Sequence, residues 1–574
     1  MKRTLFAAFV VLLTACSPIG VGSGVPAFAA GLVRFDACED YLTHVKTEAK
    51  RIVTPYGLEN GWYGPMWAVD DMVMEAAGSD GGGIPISGAV RQNAAPEPGV
   101  DYSTTNVQEA GVDEPDVIKT NGNFIYAISN GTLYVIDVTD KPTVTDSLRL
   151  ENGWGEILLA GDRIIVLSTQ YQGPVPAFGG IAESDVVGPG YYYNTPVSVL
   201  TEIDVSDSSD IELVRTLFLD GGYLSARMTG DVARIVVRSS PTGLVWEYPQ
   251  GGGLLAEIKA KNANRAIIDA STLENWIPYY VLEEADGTTT DGLLIDCEDA
   301  YRPQEFAGLG MLTVVTVDLS EGLQPDAVGV LAEGDTVYAS TDSLYVASRQ
   351  WVDWNDLSEA EIEARISGEY TEIHKFDISD PNATVYRATG SVDGFLLNQF
   401  SMSEHEGYLR VATTNQAPWW GGRSAQTSES FVNVLAENGG ELEVVGTVGG
   451  LGKGEQIFSV RFMGDVGYVV TFRQTDPLYT IDLSDPTNPT VVGELKILGY
   501  SAYLHPLGDG LLLGVGQDAT EEGWTKGTQV SIFDVSDLAN PKRIHQYTMT
   551  DGHSDVEFDH RAFLYWEATS TAFI

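Results

Sequence analysis

The chain has 574 residues and carries 81 acidic against 33 basic side chains, a formal net charge of −48. That field repels phosphate backbones and anionic bilayer surfaces, which argues against nucleic acid as a partner. A chain this long exceeds one ordinary core, and 62 Gly, 25 Pro and 10% aromatics point to an all-β protein with many turns, built as several domains or as one repeat array.

Residues 1–15 read as a lipoprotein signal peptide. Lys2 and Arg3 precede an apolar run from Leu5 to Leu13, too short to span a bilayer, and Leu13-Thr14-Ala15-Cys16 follows. Small residues before a cysteine resemble a bacterial lipobox, in which Cys16 would receive lipid and become the mature N-terminus. The alternative is an ordinary signal peptide cut near Ala27-Phe28-Ala29. No second run of 18 apolar residues exists, so the expected membrane contact is the lipid anchor alone, on an extracytoplasmic surface or with release outside the cell.

With Cys16 assigned to lipid, Cys38 and Cys297 remain. Export makes a disulfide between them one reading, and two free thiols the other. Within an N-terminal region spanning 16–75, Cys38, Tyr41, Leu42, Val45, Ala49, Ile52 and Val53 fall on one face at helical spacing. A short amphipathic helix is expected there, opened by Asp36 and Glu39 as a capping box. After the aromatic group Trp62, Tyr63 and Trp67, residues 76–101 become a Gly/Pro linker.

Repeats occupy 102–574. A first turn marked by Gly followed by Asp or Asn recurs at Gly122-Asn123, Gly161-Asp162, Gly230-Asp231, Gly334-Asp335, Gly464-Asp465 and Gly508-Asp509, with a weaker Gly407. A third-strand signal recurs in alternation with it: Ile136-Asp137-Val138, Ile203-Asp204-Val205, Val317-Asp318-Leu319, Phe376-Asp377-Ile378, Ile481-Asp482-Leu483 and Phe533-Asp534-Val535, with Val432-Asn433-Val434 as a degenerate copy. Ser225-Ala226-Arg227-Met228 and Ser459-Val460-Arg461-Phe462 match in the innermost strand. A four-stranded sheet of this size cannot bury both its faces alone, and stacking such sheets in a circle solves the problem. The fold expected is a β-propeller of four-stranded antiparallel blades, eight by first choice and seven as runner-up, with its last blade, opening at Asp555, incomplete.

The stretch from Ser103 to Thr120, STTNVQEAGVDEPDVIKT, resembles the opening signature of secreted bacterial and archaeal proteins with a C-terminal β-propeller domain, distantly related to WD-repeat propellers. Leu32-Val33-Arg34-Phe35, the segment Asp296 to Pro303 and Asp559 to Leu564 are similar to that family too. The resemblance implies a propeller fold and lends no catalytic residues.

Successive strands reverse direction, so every loop between second and third strands leaves one face of the ring. The long excursions fall there, and they carry Trp246, Trp276, Trp351, Trp354, Trp419, Trp420, Trp524 and Tyr191, Tyr192 and Tyr193. Flat aromatics on a rigid scaffold suit sugars, peptide side chains or cations, although long insertions also bury such rings in small cores of their own. Trp351, Trp354, Trp419, Trp420, Tyr191, Tyr192 and Trp524 are the candidate ligand-binding residues. His553, Asp555, Glu557 and Asp559 alternate as on one strand face, with His560 beside them; a solvated polar channel edge or turn is the first reading, and a divalent-cation site with His553, Asp555 and Asp559 as ligands is the alternative. Asp113, Glu114 and Asp116 are a weaker candidate for Ca2+, lacking EF-hand order. No cofactor is otherwise expected.

No hydrolase elbow, zinc-protease motif, P-loop or Cys-x-x-Cys is present. The expectation is an extracytoplasmic, monomeric binding module for a protein, peptide or glycan rather than an enzyme. The alternatives are a cell-envelope polysaccharide hydrolase and a purely structural envelope protein.

Overall fold

The computed structural model describes residues 33–58, 102–171, 196–303, 306–324, 326–349, 370–415, 428–472, 476–521 and 523–574. Among them stand seven four-stranded antiparallel units, spanning 118–149, 156–220, 222–331, 336–393, 402–451, 456–497 and 500–548 and called blades 1 to 7 here. The all-β propeller expectation holds.

Core residues lie between blades rather than within them. Leu133 and Val135 of blade 1 meet Ile157, Ile164 and Val166 of blade 2; Leu312 and Val314 of blade 3 meet Leu344 and Val346 of blade 4; Tyr468 and Val470 of blade 6 meet Leu512 and Phe533 of blade 7. Central strands contribute alternate residues to two separate cores, as Leu312 and Val314 face one and Met311 and Val315 the other in blade 3.

The two repeated sequence signals bond to each other. The amide of the residue after the third-strand aspartate donates to a carbonyl in the first turn: Val138 to Asn123, Val205 to Asp162, Leu319 to Asp231, Ile378 to Asp342, Leu483 to Asp465 and Val535 to Gly510. The aspartate carboxylate meanwhile accepts the amide of the residue two further on, as from Thr139, Ser320 and Ser536, ending the strand in an Asx turn. Hydrogen bonds from those residues hold the carboxyls of Asp137, Asp482 and Asp534 below the usual aspartate range.

Three register expectations need correction. Gly334-Asp335 precedes the first strand of blade 4, Thr336–Ala339, whose turn is instead Ser340 to Asp342. In blade 5 Val432-Asn433-Val434 lies inside the strand Glu429–Asn438, and Ala436 takes the place that aspartate holds elsewhere, opposite Tyr408. Residues 553–563 are not a strand: Asp555–Glu557 and His560–Ala562 are 3-10 turns, capped by Ser554 and Asp559. A hairpin, Leu564–Trp566 with Thr571–Phe573, follows, and Val556, Phe563, Tyr565 and Ala572 cover the face of blade 7 turned away from blade 6.

The excursion between the second and third strands of blade 3 is a folded unit. It adds Tyr279–Glu284 and Thr289–Leu293 to the outer edge of blade 2, and Ala300–Arg302, followed by Val33–Arg34, to the outer edge of blade 3. Edges that would template association are thereby covered. The expected N-terminal helix is α1, Cys38–Ile52, buried through Tyr41, Val45 and Ala49. Its N-cap is Ala37 without a side-chain bond, so the expected capping box does not form. It packs on α2, Leu254–Ala270, a helix that the reading of this excursion as an aromatic loop did not include. Tyr41 Oη donates to the Trp276 carbonyl at 2.8 Å.

Cys38 and Cys297 form a disulfide across a sequence separation of 259, fastening α1 to this excursion. The signal peptide, Cys16, the aromatic group at 62–67 and the linker lie outside the described residues.

Cys297→Ser is expected to lower stability by roughly 2–4 kcal/mol and to open α1 to trypsin at Lys46, Lys50 and Arg51 while the blades stay protected. Cleavage kinetics of wild type and variant check this; unchanged protection of α1 would show that its packing suffices without the bridge.

Candidate functional site

The first strand of each blade lies nearest the axis and has no inner neighbour, so its inward backbone groups need partners from elsewhere. The segment that resembles the family signature meets these strands, through backbone groups in blades 2, 3 and 5 and through side chains in the others. Gln108 Nε2 donates to the carbonyls of Gln399 at 3.1 Å and Met402 at 2.8 Å. Asp113 pairs as a strand with Met228, and Asp116 with Ile157. Glu109 accepts Tyr338 Oη at 2.9 Å, Asn106 Nδ2 donates to Tyr503 Oη at 2.8 Å, and Lys119 Nζ reaches Asp113 at 2.7 Å and Thr105 at 2.8 Å. Arg461 Nη2 donates to the Gln108 carbonyl at 3.2 Å. All seven blades touch this hub.

Arg461 and Arg227, the arginines of the two matching inner-strand tetrads, both serve the axis. Arg227 Nη2 donates to the Val337 carbonyl at 3.0 Å and Gln399 Oε1 at 2.8 Å, whereas Arg461 lies over the Phe400 ring at 5.4 Å.

A cavity of about 430 Å3 sits at the end of the axis. Its walls are Glu114 and Pro115 of the hub, Glu156, Tyr223 to Ser225, Arg227, Asn398 to Phe400, Ala502, Tyr503, and Val556 to Arg561. Most come from the starts of first strands or the connections between blades. In a meander those points share a face with the loops between second and third strands, so the cavity opens on the face that carries the long excursions.

Glu114, 4% exposed, organises this cavity. Its carboxylate accepts the Gln108 amide at 3.1 Å, Gln399 Nε2 at 3.2 Å to both oxygens, and His560 Nε2 at 3.0 Å. Burial pushes its pKa up, but the Arg227 charge and the His560 hydrogen bond outweigh this and hold it well below the usual glutamate range. Asp559 is likewise raised by burial and lowered further by Arg561, to a net depression. Arg561 grips Asp559 at 2.9 Å and also bonds Glu156 and the Pro115 carbonyl. Tyr223 Oη donates to Glu156 at 3.2 Å, and burial with that carboxylate pushes the phenol well up. Phe558, 72% exposed, stands at the rim.

The candidate cation ligands do not converge. His553 and Asp555 face solvent, His553 lies edge-on to Phe558 at 5.8 Å, and Asp559 is engaged by Arg561. The 3-10 turns place them on different sides, and among the described residues no group of three or more His, Cys, Asp or Glu is placed to hold a metal. Asp113 is neutralised by Lys119, and Asp116 bonds the neighbouring Val117 amide.

Of the aromatic candidates, Trp524 is 75% exposed beside the third strand of blade 7. Trp276 is buried, its indole donating to Ser271 at 2.8 Å, and Trp246 packs against the same core, so these two serve the excursion's own core. Trp351, Trp354, Trp419, Trp420, Tyr191, Tyr192 and Tyr193 lie outside the described residues. Sequence reasoning missed Glu156, Tyr223, Gln399 and Phe400; the usable signal was position, immediately after each link between blades.

A family model described as a beta propeller domain matches residues 102–574. An uncharacterized protein of Methanocaldococcus jannaschii is 30% identical over 505 residues, covering 82% of this chain and 74% of its own length. An uncharacterized protein of Archaeoglobus fulgidus is 30% identical over 513 residues, covering 81% and 74%. The solved structure of dihydro-heme d1 dehydrogenase NirN in complex with DHE aligns at 12% identity and TM-score 0.33, over 76% of this chain and 66% of that one.

Glu114→Gln is expected to cost about 3 kcal/mol, because Arg227 stays buried without its counter-charge. A depressed carboxyl contributes stability in full above its ordinary value of 4.5 and loses it as pH falls toward the folded-state value. The variant should therefore also show a flatter acid limb. Denaturant unfolding at neutral pH and at several pH values below 4.5 checks both, and equal stability at neutral pH would remove Glu114 from the centre of the hub.

Proposed function

Since the chain belongs to the beta propeller domain family, whose fold gathers loops from many blades around one axis, we propose that it is an extracytoplasmic, lipid-anchored module that binds a protein, peptide or glycan on the face where the axial cavity opens. The observation that carries this reading is the coincidence of three features on that face: the cavity of about 430 Å3, the long excursions, and exposed aromatics, Phe558 at the rim and Trp524 farther out. Loops on a rigid scaffold commonly carry recognition, and a ring face offers area to sugars or to cationic and apolar side chains.

Hydrolysis of a glycan is the weaker reading. It needs one carboxyl kept protonated near neutral pH to act as general acid, whereas Glu114 and Asp559 are held ionised by their cationic partners. The lipobox-like Leu13-Thr14-Ala15-Cys16 supports anchoring, and among the described residues no helix is long and apolar enough to cross a membrane.

Phe558→Ala combined with Trp524→Ala is expected to weaken capture on glycan and peptide arrays by about tenfold or more with no change in unfolding. Capture unaffected by both substitutions would move recognition away from these rings, a wild type that captures nothing would leave the structural role, and release of reducing ends from envelope polysaccharide would establish the hydrolase. Metabolic labelling with a fatty-acid analogue tests the anchor: Cys16→Ser should lose all label, and a wild type without label would point to cleavage after Ala29.

A further inference from the structure

The excursion of blade 3 carries an apolar tip that nothing in the propeller explains. Leu254 and Leu255, 71% and 85% exposed, open α2, and Ile258 follows one turn later. Val245, Tyr248 and Tyr56 extend the exposed apolar surface, with Tyr56 and Tyr248 rings 6.5 Å apart. Gly251, Gly252 and Gly253 precede the helix with no neighbouring atom within 4 Å of where a Cβ would stand, so the approach to the helix lies in open space as well. Two adjacent leucines on the first turn of an otherwise well-packed helix are a costly arrangement in water.

Charge separates this place from the rest of the surface. Residues 244–270 hold three cations, Lys259, Lys261 and Arg265, against three carboxylates, Glu247, Glu257 and Asp269, and are neutral within a chain of net −48. Lys259 is exposed directly behind Leu255 and Ile258, where its stem can lie along apolar surface while its ammonium reaches headgroup oxygens. α2 is also the element on which the N-terminal region rests: Lys46 Nζ donates to the Asp269 carbonyl at 3.0 Å and Lys50 pairs with Asp269 at 2.7 Å. From Cys16 to Val33 the chain spans 17 residues, at most about 60 Å when extended, so a bilayer holding that cysteine lies within reach of the tip.

We propose that the tip formed by Leu254, Leu255 and Ile258 is a membrane-docking site that enters the interface of a zwitterionic phospholipid bilayer and fixes the orientation of the anchored propeller. Its link to Cys16 rests on the anchored reading above. The tip's own affinity does not, since its apolar side chains are exposed with or without lipid on that cysteine. The net charge of the body makes anionic bilayers the poorer surface.

The test places an environment-sensitive fluorophore on Leu255→Cys in the full chain and adds phosphatidylcholine vesicles. A blue shift with a several-fold rise in emission is expected, and no response from the same dye on Ser209→Cys, in an exposed turn between the third and fourth strands of blade 2. Adding Leu254→Asp and Ile258→Asp to the Leu255→Cys protein should abolish the response. No shift at position 255, an equal shift at both positions, or a response that survives the two aspartates overturns the proposal. If Cys16 takes no label while the tip still responds, the anchor reading fails and the docking site stands.

Discussion

At the axis each blade presents the unpaired edge of its first strand, and a single segment touches all seven, through backbone groups of Ile157, Met228 and Met402 and through side chains in the rest. A propeller axis is an edge-strand problem repeated at every blade: each first strand has a neighbour on one side only. Side chains alone would satisfy some of those groups, but Asp113 and Asp116 do so with their own backbone, as strand partners of Met228 and Ile157, and Gln108 reaches two carbonyls at once. The axis is therefore polar, whereas the cores between blades are apolar. Its central carboxylate is buried with three kinds of donor around it, which makes the network costly to break at any one member.

The outer rim answers the same problem differently. Blades 2 and 3 are widened by strands from the long excursion and by Val33–Arg34, and the disulfide ties that addition to α1. One excursion thus closes two edges, and its burial of Trp246 and Trp276 shows what an insertion of this length needs: a core of its own. Rings that this core does not take up stay in water elsewhere on the molecule, Phe558 and Trp524 among them.

Much of this was legible in the sequence because the repeat is written in turn chemistry. Gly-Asp turns and the Ile-Asp-Val signal recur together because the amide after each aspartate bonds the preceding turn, so one physical contact wrote both patterns. The failures have equally local causes. In blade 5 the strand runs to Asn438 and the aspartate is absent, so Val432-Asn433-Val434 matched in composition but not in position. At 553–559 alternation suggested a strand, but Ser554 and Asp559 bond the amides two residues on and turn the chain into 3-10 helix. The cavity was not readable because its walls converge from residues hundreds of positions apart. Glu114, Glu557, Asp559 and His560 had drawn attention for a metal chemistry that their geometry does not assemble, Ser225 and Arg227 through the inner-strand match, and Pro115 and Arg561 as part of the family-like segments, but none of them as walls of one cavity.

The hub has a consequence for the order in which the chain matures. It is among the first parts of the propeller to be synthesised, yet Glu114 bonds His560 across 446 residues, and Asn106 bonds Tyr503 across 397. Blades can condense pairwise from local contacts as they emerge, and Ile157, Met228, Tyr338 and Met402 meet the hub early, but its bonds to Tyr503 and His560 wait for the end of the chain. Pairings so distant in sequence form slowly. The last bonds of the axis therefore close only when nearly the whole propeller has been made, so a chain cut short before Tyr503 would keep its blade pairs and lack a finished centre.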